Sequence, residues 1–320
     1  MTKLVVGSMK KMSKQIDFAK QRREQARLLT SAVHEIATSL QPVAHQQGIE
    51  FRQVLEEAAA RKSEEHERLT ERLQESVVPL FIVNPSGNPE RIGSCVLVRL
   101  DSDFFGFTAA HVLRDANTAP LFAPSEPRGG KLLPVAPRAV HLKSSLDGND
   151  LDVGALALPA RQLGAFRGHV FLSGPEIDRE DRPDDSGLQS FYMVLGYSAS
   201  RTQVNISKTK RQIHQQSFRC STQPVEAAEY IQERVRQPDH ILLDFDHKEM
   251  RVEGRRVTAP KLQGVSGGGI FQIGRRPDRA ILVAIATQNR RRSRLIVGTR
   301  IKHFLSLIRE AKTTHRDGSD

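Results

Sequence analysis

The stretch GVSGGGIF, Gly264–Phe271, sets one serine among four glycines and then turns apolar. It reads as a loose turn between strands or as a glycine-cleared loop that holds Ser266 out to attack. It also fits G-x-S-x-G, the sharp turn that presents the serine of α/β-hydrolases. That turn needs a helix directly after it, then an acid and a histidine. Here GGIFQI follows, which is strand-like, and the remaining chain with Asp278, His303 and His315 is too short to complete a parallel sheet. The α/β reading fails, and Ser266 must find its partners upstream.

Upstream lie many short apolar runs: VVPLFIV, SCVLVRL, FFGFTAA, VGALALP, HVFLSG, FYMVLGY and HILLDFD. GGIFQI, AILVAIA and RLIVGTRI complete the series. Turn residues such as NPSGNP, LDGND and RRPDRA separate many of them. This punctuation predicts an all-β barrel or sandwich from Val77 onward. The polar stretch DREDRPDDSG, Asp178–Gly187, reads as a link between two β subdomains. Ile301, Phe304, Leu305 and Ile308 read as a closing helix, and the tail over 309–320 as disordered.

Residues 1–76 follow a different rule. From Met9 to Ser76 glycine occurs only at Gly48, and good helix formers dominate. Ala26, Leu29, Val33, Ile36, Leu40 and Val43 form one amphipathic seam that Pro42 ends. A second helix is expected from about Ile49 to Glu75, with Phe51, Leu55, Ala58 and Leu69 on one side. The pair predicts a helical hairpin or part of a coiled coil. The weaker seam of the second helix calls for a partner surface.

Composition bounds the partners. The 320 residues are 38% hydrophobic and 27% charged, and no apolar run reaches the length of a membrane span. The opening MTKLVVGSMKKMSK is too short in its apolar part for a secretory signal, so a cytoplasmic location is expected. Cys95 and Cys220 are too few and too far apart to suggest a disulfide framework or a metal site. The net charge of +11 first suggests nucleic acid. Yet the cations are spread, the run RRRSR at Arg290–Arg294 carries no aromatics, and tryptophan is absent. A solvated basic hairpin tip is the simpler reading.

Two further residues qualify as partners for the serine. FFGFTAAHVL places His111 after an apolar strand, where small Thr108, Ala109 and Ala110 let other segments approach the ring. A packed core histidine would look the same. NDLDVGALALP places Asp152 at the head of an apolar strand, as a boundary or as a buried carboxylate that needs a partner. The chain order His111, Asp152, Ser266 on a β-rich chain is that of the chymotrypsin double barrel.

TAAHVL, LDVGALAL and GVSGGGIF resemble the histidine, aspartate and serine blocks of trypsin-like serine peptidases, and the resemblance spans about Val77 to Ile308. It implies a chymotrypsin-like fold of two six-stranded β-barrels, about 77–177 and 188–300. The α-helical extension 1–76 would precede them and a C-terminal helix would follow. It implies Ser266 as nucleophile, His111 as base and Asp152 as orienter, with Asp150 the fallback acid. The N–H groups of Gly264 and Ser266 would form the oxyanion hole, and Gly267 and Gly268 would keep bulk away from the nucleophile.

Thr287, Gln288 and Asn289 would pair with an extended peptide substrate. Pro260 and Leu262 would stand near the specificity-pocket wall; neither is acidic, which favours a small or apolar side chain over Lys or Arg. Val265 replaces the aspartate that pairs with a freed N-terminus in digestive trypsins, so activation through LVVG, Leu4–Gly7, is not expected. Cysteines flanking His111 and Ser266 are also absent. Both departures fit an intracellular bacterial serine endopeptidase without cofactor or metal. Residues 1–76 would then dock a regulatory partner, self-associate, gate the cleft or serve as a passive extension. A catalytically silent peptide-binding barrel and a basic nucleic-acid-associated protein are the alternatives.

Overall fold

The computed structural model describes residues 51–116, 119–127, 129–135, 138–141, 151–179, 191–198, 202–203, 212–246, 250–252, 255–257, 262–273 and 280–316. The expected first helix, Asp150, Pro260 and most of Asp178–Gly187 lie outside them. The chain divides into two compact units, Met1–Glu64 and Glu65–Asp320. Of the first, only helical residues from Phe51 onward are described.

Helix α1 (Phe51–Glu75) is built from Glu, Arg, Ala and Leu, all favourable in helices. Ser76 ends it: its N–H and its hydroxyl both donate to Leu73 O, at 3.1 and 2.7 Å. Leu69 and Leu73, at the end of the helix that belongs to the second unit, pack on the core of that unit, while the side chains of Phe51, Leu55 and Ala58 lie outside the described residues.

The second unit is mainly β. Its first strands are β1 (Val77–Val83), β2 (Pro89–Leu100) and β3 (Asp103–Thr108), followed by helix α2 (Ala110–Ala116). Then come β4 (Leu121–Glu126), β5 (Gly129–Val135), β6 (Arg138–His141), β7 (Gly154–Leu158) and the short β8 (Leu172–Ser173). After these stand β9 (Phe191–Gly196), β10 (Thr202–Gln203), β11 (Gln212–Gln215), β12 (Phe218–Thr222), helix α3 (Ala227–Gln232) and β13 (His240–Asp244). A small hairpin, β14 (Met250–Val252) and β15 (Arg255–Val257), precedes β16 (Gly269–Ile273), β17 (Ala280–Arg290), β18 (Leu295–Arg300) and helix α4 (Ile301–Arg316).

Besides the two-stranded β14–β15 sheet, the described strands form two larger sheets, antiparallel except for the β2–β8 pair. The first runs β10-β11-β5-β4-β1-β2-β3-β7-β6, with β8 beside β2. The second runs β12-β9-β16-β17-β18-β13 and curls into a half-barrel. Among the described strands both orders are open paths, so the expected pair of closed six-stranded barrels is not confirmed. The halves also interlock: the β10–β11 hairpin belongs by sequence to the second half, yet β11 pairs with β5 of the first sheet.

The continuous apolar runs have a physical reason. Along β2, Val96 and Val98 face a core shared with Met193, Leu195, Phe271 and Leu282 of the second sheet. Cys95 and Leu97 face a separate cluster with Val112, Leu113 and Leu156. Along β17, Leu282 and Ile285 join the shared core while Val283 and Ala284 line the cluster inside the second sheet. Strands buried on both faces lose the apolar-polar alternation.

Helix α4 seals the shared core through Ile301, Phe304, Leu305 and Ile308, with the Phe304 ring 5.2 Å from that of Phe107. It runs on to Arg316, past the expected end at Ile308, and Lys312 pairs with Asp103 at 2.6 Å. Residues 309–316 are therefore helix rather than disordered tail. No helix among the described residues is long and apolar enough to cross a membrane.

Candidate active site

His111 is the second residue of α2, which begins as β3 ends. Thr108, Ala109 and Ala110 are fully buried. Gly154 of β7 pairs with Thr108, and a Cβ on it would lie 3.1 Å from Ala110 Cα and 3.2 Å from Ala109 O. Small residues on both sides thus let β7 close on the start of α2. That approach carries Asp152, in the turn ahead of β7, against His111.

The contact has two prongs. Asp152 Oδ1 accepts the backbone N–H of His111 at 2.9 Å, and Oδ2 lies 2.5 Å from His111 Nδ1. The His111 side chain is 32% exposed and that of Asp152 10%. Burial pushes the Asp152 pKa up, but the hydrogen bonds and charge of His111, with Arg114 nearby, outweigh it and hold the carboxyl below its usual range. Asp152 is an ionised acceptor fixed to both the backbone and the ring of one histidine. That leaves the far nitrogen, Nε2, as the atom that meets the one-third-exposed side.

The Ser266 loop is fixed by a regular set of bonds. Val265 N–H donates to Leu262 O at 2.9 Å, Gly267 N–H to Ala286 O at 2.7 Å, and Gly268 N–H to Val265 O at 2.8 Å. On the carbonyl side, Ser94 Oγ donates to Gly264 O at 2.9 Å and Ser94 N–H to Ser266 O at 2.8 Å. Among the described residues, the N–H groups of Gly264 and Ser266 meet no protein acceptor. The loop thus keeps two alternate amide donors uncommitted beside the serine hydroxyl.

The glycines serve a different purpose from the one expected of them. Gly267 has φ +85°, and a Cβ there would lie 1.9 Å from Ser94 O and 2.3 Å from Thr108 Oγ1. On Gly268 it would lie 2.2 Å from Leu195 O. These residues let the loop press onto β2 and β9 rather than clearing space before the nucleophile.

The same press brings serine and histidine to one stretch of β2. Thr108, three residues before His111, donates its hydroxyl to Ser94 O at 2.7 Å. A Cβ on Gly93 would lie 2.6 Å from Val112 and 3.1 Å from Ser266 O, so Gly93 separates the serine loop from the residue next to His111. The Ser266 hydroxyl donates to Thr287 O at 3.4 Å, and His111 Nε2 is not its partner here. A bulge between Ala286 and Gln288 leaves Thr287 out of the β17–β18 ladder, with its carbonyl on the serine side.

Thr287 is buried, Gln288 exposed and Asn289 half-buried. Beyond Ala286, the β17 flank facing the serine loop carries no described strand. Leu262 is buried in the core of the second sheet. Val265 packs in that core too. Cys95 and Cys220 are free, and burial pushes each thiol up to about 12, outside the range of a reactive thiolate. Among the described residues, no group of three or more His, Cys, Asp or Glu is placed to hold a metal ion.

At the basic tip, Arg290 pairs with Glu233 and Arg294 with Asp246, while Arg291 and Arg292 are exposed. Sequence reasoning missed Ser94. The available signal was a lone hydroxyl heading the apolar run SCVLVRL. The sequence matches no family model and no curated protein.

Proposed function

We propose that this protein is a serine hydrolase of chymotrypsin-like architecture, acting as an endopeptidase through Ser266, His111 and Asp152. The observation that carries the reading is the two-pronged hold of Asp152 on His111, at 2.9 and 2.5 Å, beside a serine loop with two uncommitted amide donors. Two mainly antiparallel sheets, one of them a half-barrel, are compatible with a chymotrypsin-like fold.

Ser266 Oγ attacks the scissile carbonyl carbon while His111 Nε2 takes the hydroxyl proton. The carbonyl π electrons move onto oxygen, and the N–H groups of Gly264 and Ser266 donate to that oxyanion. Collapse breaks the C–N bond, His111 returns the proton to the leaving amine, and an acyl-serine remains. Water repeats the sequence, its proton going to His111, and releases the acid. Asp152 stays ionised throughout; it fixes the ring tautomer and stabilises the imidazolium. The open flank after Ala286 offers main-chain groups to the acyl side of an extended substrate.

A second reading has one observation in its favour: the Ser266 hydroxyl rests on Thr287 O. A silent peptide-binding domain would keep it there. A fluorophosphonate separates the two. Covalent labelling of the wild type, absent in Ser266→Ala and nearly absent in His111→Ala, is expected. Labelling that persists in folded Ser266→Ala, or no labelling of the wild type alongside tight peptide binding, overturns the hydrolase assignment.

A further inference from the structure

Ser94 is fully buried and makes four hydrogen bonds to three separate parts of the second unit. Its hydroxyl donates to Gly264 O at 2.9 Å and accepts the N–H of Tyr197 at 3.0 Å. Its own N–H donates to Ser266 O at 2.8 Å, and its carbonyl accepts the Thr108 hydroxyl at 2.7 Å. One residue of β2 thus ties the serine loop, the end of β9 and the end of β3 that leads into His111.

The peptide planes of the loop give these bonds a consequence. In a trans peptide, C=O and N–H point in opposite directions. The 264–265 peptide is held at both poles, its carbonyl by Ser94 Oγ and its N–H by Leu262 O. The 266–267 peptide is held likewise, by Ser94 N–H and by Ala286 O. The donors left over, the N–H groups of Gly264 and Ser266, belong to the alternate planes. The direction in which they point depends on the clamped planes staying put. Gly264, at φ +90°, has no side chain to oppose rotation. The Ser94 hydroxyl is the restraint on its carbonyl.

We infer that Ser94 is a positioning residue for the oxyanion site, its hydroxyl holding the Gly264 carbonyl inward so that the Gly264 and Ser266 amides face the reacting carbonyl together. The inference rests on the hydrolase reading above. Ser94 touches no substrate; it acts through Gly264. Its backbone bonds to Ser266 and Thr108 do not involve the side chain, so truncation frees the carbonyl pole of the 264–265 plane, leaving only the Val265 N–H to Leu262 O bond to hold it, while the serine loop stays docked on β2.

The test compares wild type, Ser94→Ala, Ser94→Thr and Ser94→Cys. Active sites are counted by fluorophosphonate, and kcat and KM are measured on a fluorogenic peptide ester chosen by library screening. Inhibition by a peptidyl trifluoromethyl ketone, whose adduct carries the oxyanion, is the third readout. Ser94→Ala is expected to lower kcat per active site about 10- to 100-fold with KM unchanged, and to weaken the ketone in parallel. Ser94→Thr should recover most of the loss if the extra methyl is accommodated. Ser94→Cys, a near-isostere with a weak donor, should fall between Ala and wild type.

A purely structural role would lower the fraction of titratable sites and the melting temperature while leaving kcat per site intact. Should Ser94→Ala fail to fold, the Cys variant decides alone: kcat per site and ketone affinity within twofold of wild type overturn the inference. Wild type that labels and turns over, with Ser94→Ala unchanged per site, sinks the role of Ser94 and leaves the hydrolase reading standing. Wild type that never labels removes both.

Discussion

Asp152→Asn is the substitution whose consequence follows most directly from the geometry. The backbone N–H of His111 can only donate, so the side-chain atom facing it, now 2.9 Å away, must remain an oxygen. In asparagine that choice turns the NH2 group toward His111 Nδ1, where the carboxylate Oδ2 now sits at 2.5 Å. The amide donates, so Nδ1 must accept and the ring proton moves to Nε2. A ring protonated at Nε2 cannot take the Ser266 proton. Shape and volume are nearly unchanged, so fold and active-site access are preserved. The expected loss is about 10⁴-fold in kcat/KM, or ~5.4 kcal/mol of transition-state stabilisation. The assay is the second-order rate of fluorophosphonate labelling, with the melting temperature measured alongside. A folded Asp152→Asn protein labelling within about tenfold of wild type would refute the claim that Asp152 sets the tautomer.

Three further outcomes test other parts of the structure. Gly267→Ala forces a Cβ to 1.9 Å from Ser94 O at a positive φ; it should cost about 3 kcal/mol or more and ~6–12 °C in melting temperature, and a smaller drop would show that the loop does not press on β2. Arg91 has no carboxylate partner among the described residues; its Nε is buried without an acceptor, and burial lowers the guanidinium to about 10. Its other two nitrogens donate to Ser198 O at 2.5 Å and to Gln215 Oε1 at 3.4 Å, and the guanidinium lies over the Phe81 and Tyr197 rings. Arg91→Met removes those bonds and should lower the melting temperature by about 2–4 °C, whereas an unchanged or higher value would show that they contribute nothing net. His169 is buried with its ring nitrogens 3.1 Å from Pro124 O and 3.2 Å from Glu75 O, and burial holds its pKa below the ordinary value. A depressed folded pKa means stability that is whole above about pH 6.5 and lost as pH falls through the folded pKa; His169→Gln should flatten that slope of melting temperature, and an unchanged slope assigns it to other groups.

The setting of His111 after a strand and the forced turn at Ser266 were legible because local rules are strong at both places. TAAHVL joins a strand end to small residues, and GVSGGGIF concentrates glycine at a forced turn. The strand runs were legible wherever both faces are buried, as in VVPLFIV and AILVAIA. Strands such as β5, β10, β11 and β12 were not, because their residues are mixed and their pairing partners are remote. Nothing local to Gln212–Gln215 announces that it will join β5 across the two halves. The reason for the glycines was misread for the same cause: the atoms that exclude a side chain at Gly267 and Gly268 belong to Ser94, Thr108 and Leu195, remote in sequence. The helix end at Arg316 was missed because part of its support, the Lys312–Asp103 pair, is tertiary.

The rest position of the Ser266 hydroxyl bears on how such a site starts. An O–H···O separation of 3.4 Å is long against the usual 2.7–2.8 Å, so Thr287 O holds the alcohol weakly. Rotation about a single staggered torsion changes its partner, and such flips are fast beside any turnover. What does not rotate is the frame: His111 is held at its ring Nδ1 and at its backbone N–H by the Asp152 carboxylate, and the 266–267 peptide is held by Ser94 N–H and Ala286 O. A substrate carbonyl drawn to the Gly264 and Ser266 amides would occupy the space beside the hydroxyl. A main-chain N–H of the same substrate, pairing with the bulged Thr287 carbonyl, would displace the hydroxyl from its present acceptor. On the hydrolase reading proposed above, binding of substrate and release of the Ser266 hydroxyl would be one event. The bulge at Thr287 serves both: it takes the carbonyl out of the β18 ladder, leaving it free to hold the alcohol at rest and the peptide in the complex.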